Sequence, residues 1–467
     1  MTHQAAKDRQ RGYGSDERPL TKVLWSRDPA MRDSPIGAMG NHEPDRATVD
    51  YRRYYDPDYA RREYDKIWLK TWVYAAREED IPDVGDRLPF QLGPKSFLIV
   101  RSGPDDIKAF YNSCIHRGAK LCDKAEGGNK IVCPFHAWEW KIDGSINHIP
   151  GHWDFREVNA KNAGLREVRV ERWGGFIFIN CDRDAPPLSE ALSVIPEHLA
   201  AMMPERRYTA AHFRRLIRAN WKTTQEAFHE AYHVIGTHPA AIPFNGDSQS
   251  QYDIWASENG NVGRLITPSG IPSMFAPADA SDLEAAMVTA ATIAPWHYPG
   301  EPLPEFDPAR DLRAQLADWH RALFRKKIGR DLQAPDAVLI DSTLYHMFPN
   351  MTIWLSEFIP FVYQFLPHES DPELSYFDVR LLRPIPEGEE APPASPRIDI
   401  GPDENVADQA PDFQFLAQVF DEDMHNLPLI QQGMRSADPD RNHSVLGRYQ
   451  EMIVQHWHDL HDRYMQA

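Results

Sequence analysis

Apolar residues change their spacing along this chain, and those changes divide it. Positions 1–45 are rich in Arg, Asp, Gly and Pro with no sustained hydrophobic period, which predicts an arm, poorly ordered or wrapped on another subunit. Helical spacing follows over 58–74, so 46–81 reads as a helical lead-in to the larger domain downstream. From Pro82 the texture becomes short β-type runs at 96–101, 107–112, 130–133 and 175–180, cut by Gly, Asp and Asn turns. They predict a compact β-rich domain over 82–184, about 100 residues and an ordinary domain size. Beyond Ala185 helical spacing returns near 220–235 and 309–327. Runs at 344–348, 351–355, 361–366 and 374–382 then succeed one another as strands of an antiparallel meander. The Pro-, Glu- and Asp-rich stretch 384–412 reads as an exposed loop, and helices near 412–434 and 443–464 finish the chain. No internal repeat appears. The fold class is α+β, with the β-rich module ahead of a larger unit over 185–467.

Composition narrows the partners. The chain has 467 residues with 51 Lys plus Arg against 69 Asp plus Glu, a formal charge of −18 that repels phosphate backbones and anionic lipid. Nucleic acid and membrane are therefore not expected partners. Hydrophobic residues at 42% suffice for a buried core, and no stretch approaches the roughly 18 apolar residues of a spanning helix. With a polar N-terminus lacking an apolar segment, the expectation is a cytoplasmic protein. Four cysteines, Cys114, Cys122, Cys133 and Cys181, are too few for a disulfide scaffold and point to metal or redox chemistry.

Two loops carry that chemistry. Cys114-Ile115-His116 and Cys133-Pro134-Phe135-His136 each supply one thiol and one imidazole. Structural zinc sites usually pair cysteine with cysteine and histidine with histidine, whereas this mixture suits a [2Fe-2S] cluster in which two imidazoles replace two thiolates on one iron. Cys122 and Cys181 have no histidine in register and read as inert buried thiols. A one-electron centre needs an acceptor, and the 220–235 helix offers Glu230 and His233, followed by His238. Histidines five apart converge only if the helix ends or bulges between them, where Gly236 stands. Two imidazoles and one carboxylate make the facial triad that leaves iron(II) open to dioxygen. The carboxylate is sought downstream, where Asp423 falls on the apolar stripe of Leu416, Phe420, Leu427 and Ile430. The bland alternative for Asp423 is a partner for a buried arginine or a cap at the kink imposed by Pro428. Asp421 and Glu422 point off that stripe and read as solvated, as do His456, His458 and His461 on the last helix. A competing motif overlaps: His229-Glu230-x-x-His233 matches the zinc metallopeptidase pattern, with Glu230 as general base and a downstream acid such as Glu258 completing it.

Together these residues make the chain resemble the Rieske non-haem iron oxygenases, ring-hydroxylating large (alpha) subunits. The family's first cluster loop, Cys-x-His-Arg-Gly, is matched by Cys114 to Gly118; the second departs at Ala137, where Gly is usual, and Ala137 is expected to alter loop geometry without removing a ligand. Asn220-Trp221-Lys222 with Glu226, Glu230, Tyr232, His233, His238 and Pro239 is similar to the family's catalytic signature, and Phe420 to Asp423 to its third-ligand segment. Ala227 stands where many members carry Asn. The resemblance extends from about Tyr51 through Glu63 to Trp72 and on to Pro349-Asn350. It implies a Rieske [2Fe-2S] domain with a helix-grip catalytic domain over 185–467. The cluster would be held by Cys114, His116, Cys133 and His136, and a mononuclear Fe(II) by His233, His238 and Asp423. Glu230 would bridge the iron site to His136 of a neighbouring subunit. Dioxygen is the implied co-substrate, with electrons from NAD(P)H through a flavin reductase and optionally a ferredoxin. A homotrimer, or an alpha3beta3 assembly with a small subunit, follows. The aromatic content suggests hydroxylation of a hydrophobic cyclic substrate, aromatic, polycyclic or steroid-like. The alternative is demethylation or hydroxylation of a quaternary ammonium or methoxy compound. An apolar pocket or lid is expected within 242–303, from Phe244, Tyr252, Ile254, Trp255, Met274 and Phe275.

Overall fold

The computed structural model describes residues 20–466. Helix α1 (Pro57–Glu63) starts where Asp56 accepts the backbone N–H groups of Asp58 and Tyr59. It runs into a single wide turn over Tyr64–Trp68 and stops, so the helix predicted to Tyr74 ends about a turn and a half early. Val73 and Tyr74 belong instead to a strand, because a β-branched and an aromatic residue here pair across a ladder.

That strand, β1 (Val73–Arg77), joins β2 (Arg87–Leu92), β3 (Lys95–Arg101) and β4 (Ile107–Tyr111) in one sheet. The chain then leaves for a three-stranded sheet of β5 (Lys130–Val132), β6 (Glu139–Lys141) and β7 (Ile146–His148), and returns as β8 (Glu167–Trp173) and β9 (Phe176–Asn180). The order is β1-β9-β8-β4-β3-β2, antiparallel throughout. Between β8 and β9 the turn is Gly174-Gly175, with φ of +59° and +79°, the two left-handed positions a tight hairpin requires. Leu98 and Phe110 from the larger sheet bury against Ile131, Trp138 and Trp140 of the smaller, so the two cysteine–histidine loops hang from a packed core.

A second, eight-stranded sheet contains β10 (Arg207–Ile217), β11 (Gln251–Ala256), β12 (Asn261–Thr267), β13 (Ser342–Met347), β14 (Met351–Leu355), β15 (Pro360–Pro367), β16 (Ser375–Pro384) and β17 (Ile398–Ile400). Its order is β11-β12-β13-β14-β15-β16-β10-β17. The meander β13 to β16 matches the four predicted runs, whereas β10, β11 and β12 lie outside them. The predicted exposed loop 384–412 contributes β17, which pairs parallel to β10. Helices α2 (Trp221–Glu226), α3 (Val234–Thr237), α4 (Asp282–His297), α5 (Leu312–Ile328), α6 (Phe415–Arg435) and α7 (Met452–Gln466) complete the unit. The sheet grips α6 through aromatics: Phe420 meets Phe213 at 5.5 Å, Phe361 at 5.7 Å and Tyr363 at 5.9 Å between ring centroids.

Two expectations are corrected. Of the arm predicted over 1–45, the part before Leu20 lies outside the described residues. From there on it packs: Trp25, Met31 and Ile36 are buried, and Arg264 donates to the carbonyls of Ile36 and Ala38. His456, His458 and His461 are not solvated but buried on α7, each 1% exposed. They are inside because α7 ties the structure together. His461 lies 3.1 Å from Glu63 on α1, Glu63 pairs with Lys222 at 2.8 Å, and Trp221 Nε1 donates to the same carboxylate at 2.9 Å. His458 and the Tyr54 hydroxyl both bond Glu226, at 2.9 Å.

Buried neutral histidines make the fold acid-sensitive. Burial holds His346 and His456 down to about 3 and His320 to about 4, whereas unfolded histidine titrates near 6.5. Depressed folded-state values mean stability that is intact above pH 6.5 and lost below it, by up to about 1.4 kcal/mol per pH unit for each histidine. Glu226, raised by burial to about 7, and His233, raised to about 9, act in the opposite sense, but the depressed histidines outnumber them. The urea midpoint should therefore fall steadily from pH 7 to pH 5; a flat midpoint contradicts this account.

Candidate functional site

The two cysteine–histidine loops are near copies of each other. In the first, Gly118 N–H donates to Cys114 O and Cys114 N–H to Ala119 O, both at 2.8 Å; in the second, Ala137 N–H donates to Cys133 O at 3.1 Å and Cys133 N–H to Trp138 O at 2.8 Å. The fifth residue of each is left-handed, Gly118 at φ +76° and Ala137 at +57°. Contrary to expectation, Ala137 leaves the loop geometry alike, and its Cβ bears a strain of about 1 kcal/mol instead. The Cys114 and Cys133 thiols are buried and face each other, and burial, with Cys133 adjacent, pushes the Cys114 thiol up. The His116 and His136 rings approach to 4.6 Å, and Trp138 stacks flat on His116 at 5.1 Å. Each ring turns Nδ1 inward with no partner among the described residues. Bare inward donors are costly unless a ligand satisfies them.

The second centre forms where a helix breaks. The predicted helix over 220–235 is two pieces, α2 ending at Glu226 and α3 beginning at Val234, with His233 and His238 as the residues flanking α3. One short turn between them brings the rings to 5.2 Å at 76°. His238 Nε2 lies 3.1 Å and His233 Nε2 3.7 Å from the same Asp423 oxygen. Asp423 is 4% exposed, carried into the core by α6. Among the described residues, these three are the set of ligand atoms lying within 4.8 Å of one another, and no trio from the cysteine–histidine loops is that close.

Carboxylates hold the imidazoles. Glu230 accepts from His233 Nδ1 at 2.8 Å and from His233 backbone N–H at 2.8 Å. It outweighs the effect of burial and lifts the His233 pKa to about 9. Glu422 accepts from His238 Nδ1 at 2.6 Å. Both Nε2 atoms are thereby aimed at Asp423, the arrangement that fixes ring tautomer and orientation at metal sites. Glu422 is thus no solvated bystander. Asp421 is not one either: it pairs with Arg215 at 2.9 Å and accepts Val406 N–H at 2.7 Å. The sequence signal for Glu422 was only its adjacency to Asp423, since helical spacing puts it off the apolar stripe. The metallopeptidase motif fails sterically: His229 lies in the turn after α2, its ring 4.6 Å from that of His346 and 4.7 Å from that of Trp457. Glu258 stands in the β11–β12 turn.

Beside the triad opens a cavity of about 490 Å³, walled by aromatics including Phe228, Phe244, Trp354, Phe358, Tyr363 and Phe415, with no Lys or Arg in its lining. Of the residues predicted to form a pocket, Phe244 does so, while Tyr252, Ile254 and Trp255 pack in the core. Trp354 and Tyr363 come from the meander, whose apolar runs read as core, and nothing in the sequence marks that core as hollow.

A family model for the ring hydroxylating alpha subunit (catalytic domain) matches residues 199–467, and one for the Rieske [2Fe-2S] domain matches residues 71–159. The chain belongs to the Rieske oxygenase alpha-subunit family. The glycine betaine monooxygenase oxygenase subunit of Chromohalobacter salexigens is 31% identical over 225 residues, covering 48% of this chain and 49% of that protein. The large oxygenase component of the Pseudomonas putida naphthalene 1,2-dioxygenase system is 30% identical over 223 residues, covering 46% and 48%. The alignments thus span about half the length of these curated relatives. A solved quaternary ammonium Rieske monooxygenase in complex with L-carnitine shares the fold, with a TM-score of 0.60 at 18% identity over 93% of this chain and 98% of that one. Among the described residues, no helix of this Rieske oxygenase subunit is long and apolar enough to cross a membrane. The family's [2Fe-2S] cluster and mononuclear iron both find suitable donors, bare thiols and ring nitrogens in one case and the oriented triad in the other.

Two substitutions test this geometry. Ala137→Gly should relieve the left-handed strain and raise thermal stability by about 0.5–1 kcal/mol, read by calorimetry; a destabilised variant contradicts the strain. Glu422→Gln should weaken iron(II) retention by about 10–100-fold in chelator competition, with the visible absorption of the cluster unchanged.

Proposed function

We propose that this protein is the terminal oxygenase component of a multi-protein system and hydroxylates a neutral, hydrophobic cyclic substrate. The observation that carries this reading is the aromatic cavity of about 490 Å³, free of Lys and Arg, that opens on His233, His238 and Asp423. Its size suits a ring compound, and its lining holds no Lys or Arg to form an ion pair with an anionic group. Iron at the triad would supply open positions for dioxygen, and a cluster on Cys114, His116, Cys133 and His136 would deliver electrons singly. The electrons come from NAD(P)H through a flavin reductase, with or without a ferredoxin, because a hydride donor must be converted to one-electron steps. The protein's own contribution is orientation: Glu230 and Glu422 hold the imidazoles, and the aromatic walls keep water from the reacting carbon.

Glu230 is also proposed to couple the two centres by accepting a bond from His136 of a neighbouring subunit. That arrangement needs a cyclic assembly, with a homotrimer as its smallest form. Exposed Ile115 and Phe135 on the cluster loops, and exposed Tyr232 and Ile235 around the triad, supply apolar surfaces for such a contact.

A second reading is a quaternary ammonium substrate. The glycine betaine and carnitine enzymes among the relatives favour it, and aromatic walls with carboxylates nearby suit a cation. The absence of a lining cation weighs against it, because carnitine and betaine carry a carboxylate as well.

Anaerobically purified protein should contain about three irons and about two sulfides per chain, with a reduced-cluster signal in electron paramagnetic resonance after dithionite. Zinc without sulfide would overturn the proposal. His116→Ala should abolish the cluster absorption and spare the other iron, Asp423→Ala the reverse, and Glu230→Gln should retain both metals while stalling electron delivery in single turnover. Dioxygen consumption stimulated by naphthalene and not by L-carnitine supports the neutral-substrate reading; the opposite result selects the second.

A further inference from the structure

The cavity is apolar but not featureless, and most of its polar side chains are already engaged. Thr267 bonds Ser250 at 2.8 Å, Thr292 bonds the Val288 carbonyl at 2.9 Å, and Glu230 and Glu422 hold the two histidines. The Asn245 oxygen and Trp354 Nε1 are sealed into the packing, and the Asn245 amide N–H2, unpaired among the described residues, is carried on the chain after α3 and not in an aromatic clamp. Gln414 and Gln418 are exposed and stand at the mouth. Tyr363 is different. It is 1% exposed, yet among the described residues its hydroxyl has no hydrogen-bond partner and is not one of the groups sealed off from open space. Its ring is clamped by Phe228 and Phe377, each at 5.0 Å, by Trp354 at 5.6 Å and by Phe420 at 5.9 Å. Strand β15 fixes the backbone through its pairings with β14 and β16. The hydroxyl is thus aimed rather than free to swing, and it lies in the electrostatic field of Asp423.

A phenol held without a partner in an apolar cavity is a donor waiting for an acceptor, since leaving it unpaired against bound hydrocarbon costs binding energy. A cation in this place would gain the ring face but not the O–H. Ser342, also in the lining and without a hydrogen-bond partner among the described residues, is a second hydroxyl, but its side chain lacks the reach and the rigid aromatic clamp.

Resting on the neutral-substrate reading above, we propose that Tyr363 is a specificity-determining residue whose hydroxyl donates to a neutral oxygen acceptor, a carbonyl or ether, on an otherwise apolar cyclic substrate. The bond pins the substrate by one edge, so that a particular carbon of the ring faces the triad. A pure hydrocarbon enters the same cavity but leaves the donor unpaired and rotates within it.

The test is equilibrium binding to the holoenzyme, read by calorimetry without turnover, using 1-tetralone and its hydrocarbon counterpart tetralin. Wild type should bind 1-tetralone about tenfold more tightly than tetralin. Tyr363→Phe, which keeps the ring, should bind the two equally, with tetralin affinity unchanged; Ser342→Ala should keep the preference. Wild-type protein that binds both without preference overturns the role of Tyr363 while leaving the neutral-substrate reading intact. A preference that survives Tyr363→Phe, or an equal loss for both probes, overturns it as well. Protein that binds neither probe but binds L-carnitine overturns the neutral-substrate reading and this inference with it. The wild-type comparison needs no variant, so the proposal remains falsifiable even if Tyr363→Phe misfolds.

Discussion

A buried carboxylate governs this structure. Asp423 sits 4% exposed on the face of α6 that the sheet's aromatics grip, where an uncompensated charge costs several kcal/mol. The chain must therefore bring positive or metal-bound partners to it, and one distant segment complies. The two ends of α3 deliver His233 and His238, and the adjacent residue on α6, Glu422, reaches back to hold one of them. Glu230 performs the same service for the other. Two carboxylates that orient, two imidazoles that face inward and one carboxylate at the centre form a set in which each member accounts for the position of the next.

The support of that set extends far from it. The α2 segment leading to the histidines is anchored by the buried pair of Glu63 and Lys222, and Glu63 is itself held by Trp221 and lies against His461. Lys222 and the flanking groups outweigh desolvation and keep Glu63 ionised, with a pKa of about 2. Removing one partner of such a pair typically costs about 3–5 kcal/mol, because the other is left charged and dry. The N-terminal helix, the helix before the triad and the last helix are thus linked through one ionic knot, although they lie more than 150 residues apart in sequence.

How much of this was legible depended on which interactions were local. The cluster loops could be read directly, since ligand order and spacing sit within short motifs, and the four-strand meander could be read because its β-type runs follow one another in close succession. Asp423 could be found because a carboxylate on an apolar helical stripe is out of place. Glu422, one position earlier, looked like an exposed acid because only the tertiary fold brings His238 over it. The histidines of α7 were misread for the same reason: His458 and His461 are polar by type and become interior only once Glu226 and Glu63 arrive from elsewhere. The 220–235 helix lay in between: the histidine spacing called for an end between His233 and His238, which the structure places at Thr237 and not at Gly236, but nothing marked the earlier break from Ala227 to His233.

The cavity walls come from two parts of the fold, and only one of them also carries the metal-facing residues. Phe228, Phe244 and Phe415 stand on the segments that deliver the triad and its orienting carboxylates, whereas Trp354 and Tyr363 belong to the meander and Phe358 and Ile359 to the β14–β15 turn. That turn is itself moored from outside, by Arg207 on Glu357 and by His297, which bonds the Phe358 carbonyl at 3.0 Å. Reshaping the meander side of the cavity therefore need not disturb the machinery beneath it. A lineage of such proteins can drift from one substrate to another by exchanging wall residues, keeping an unchanged engine under an interchangeable mould.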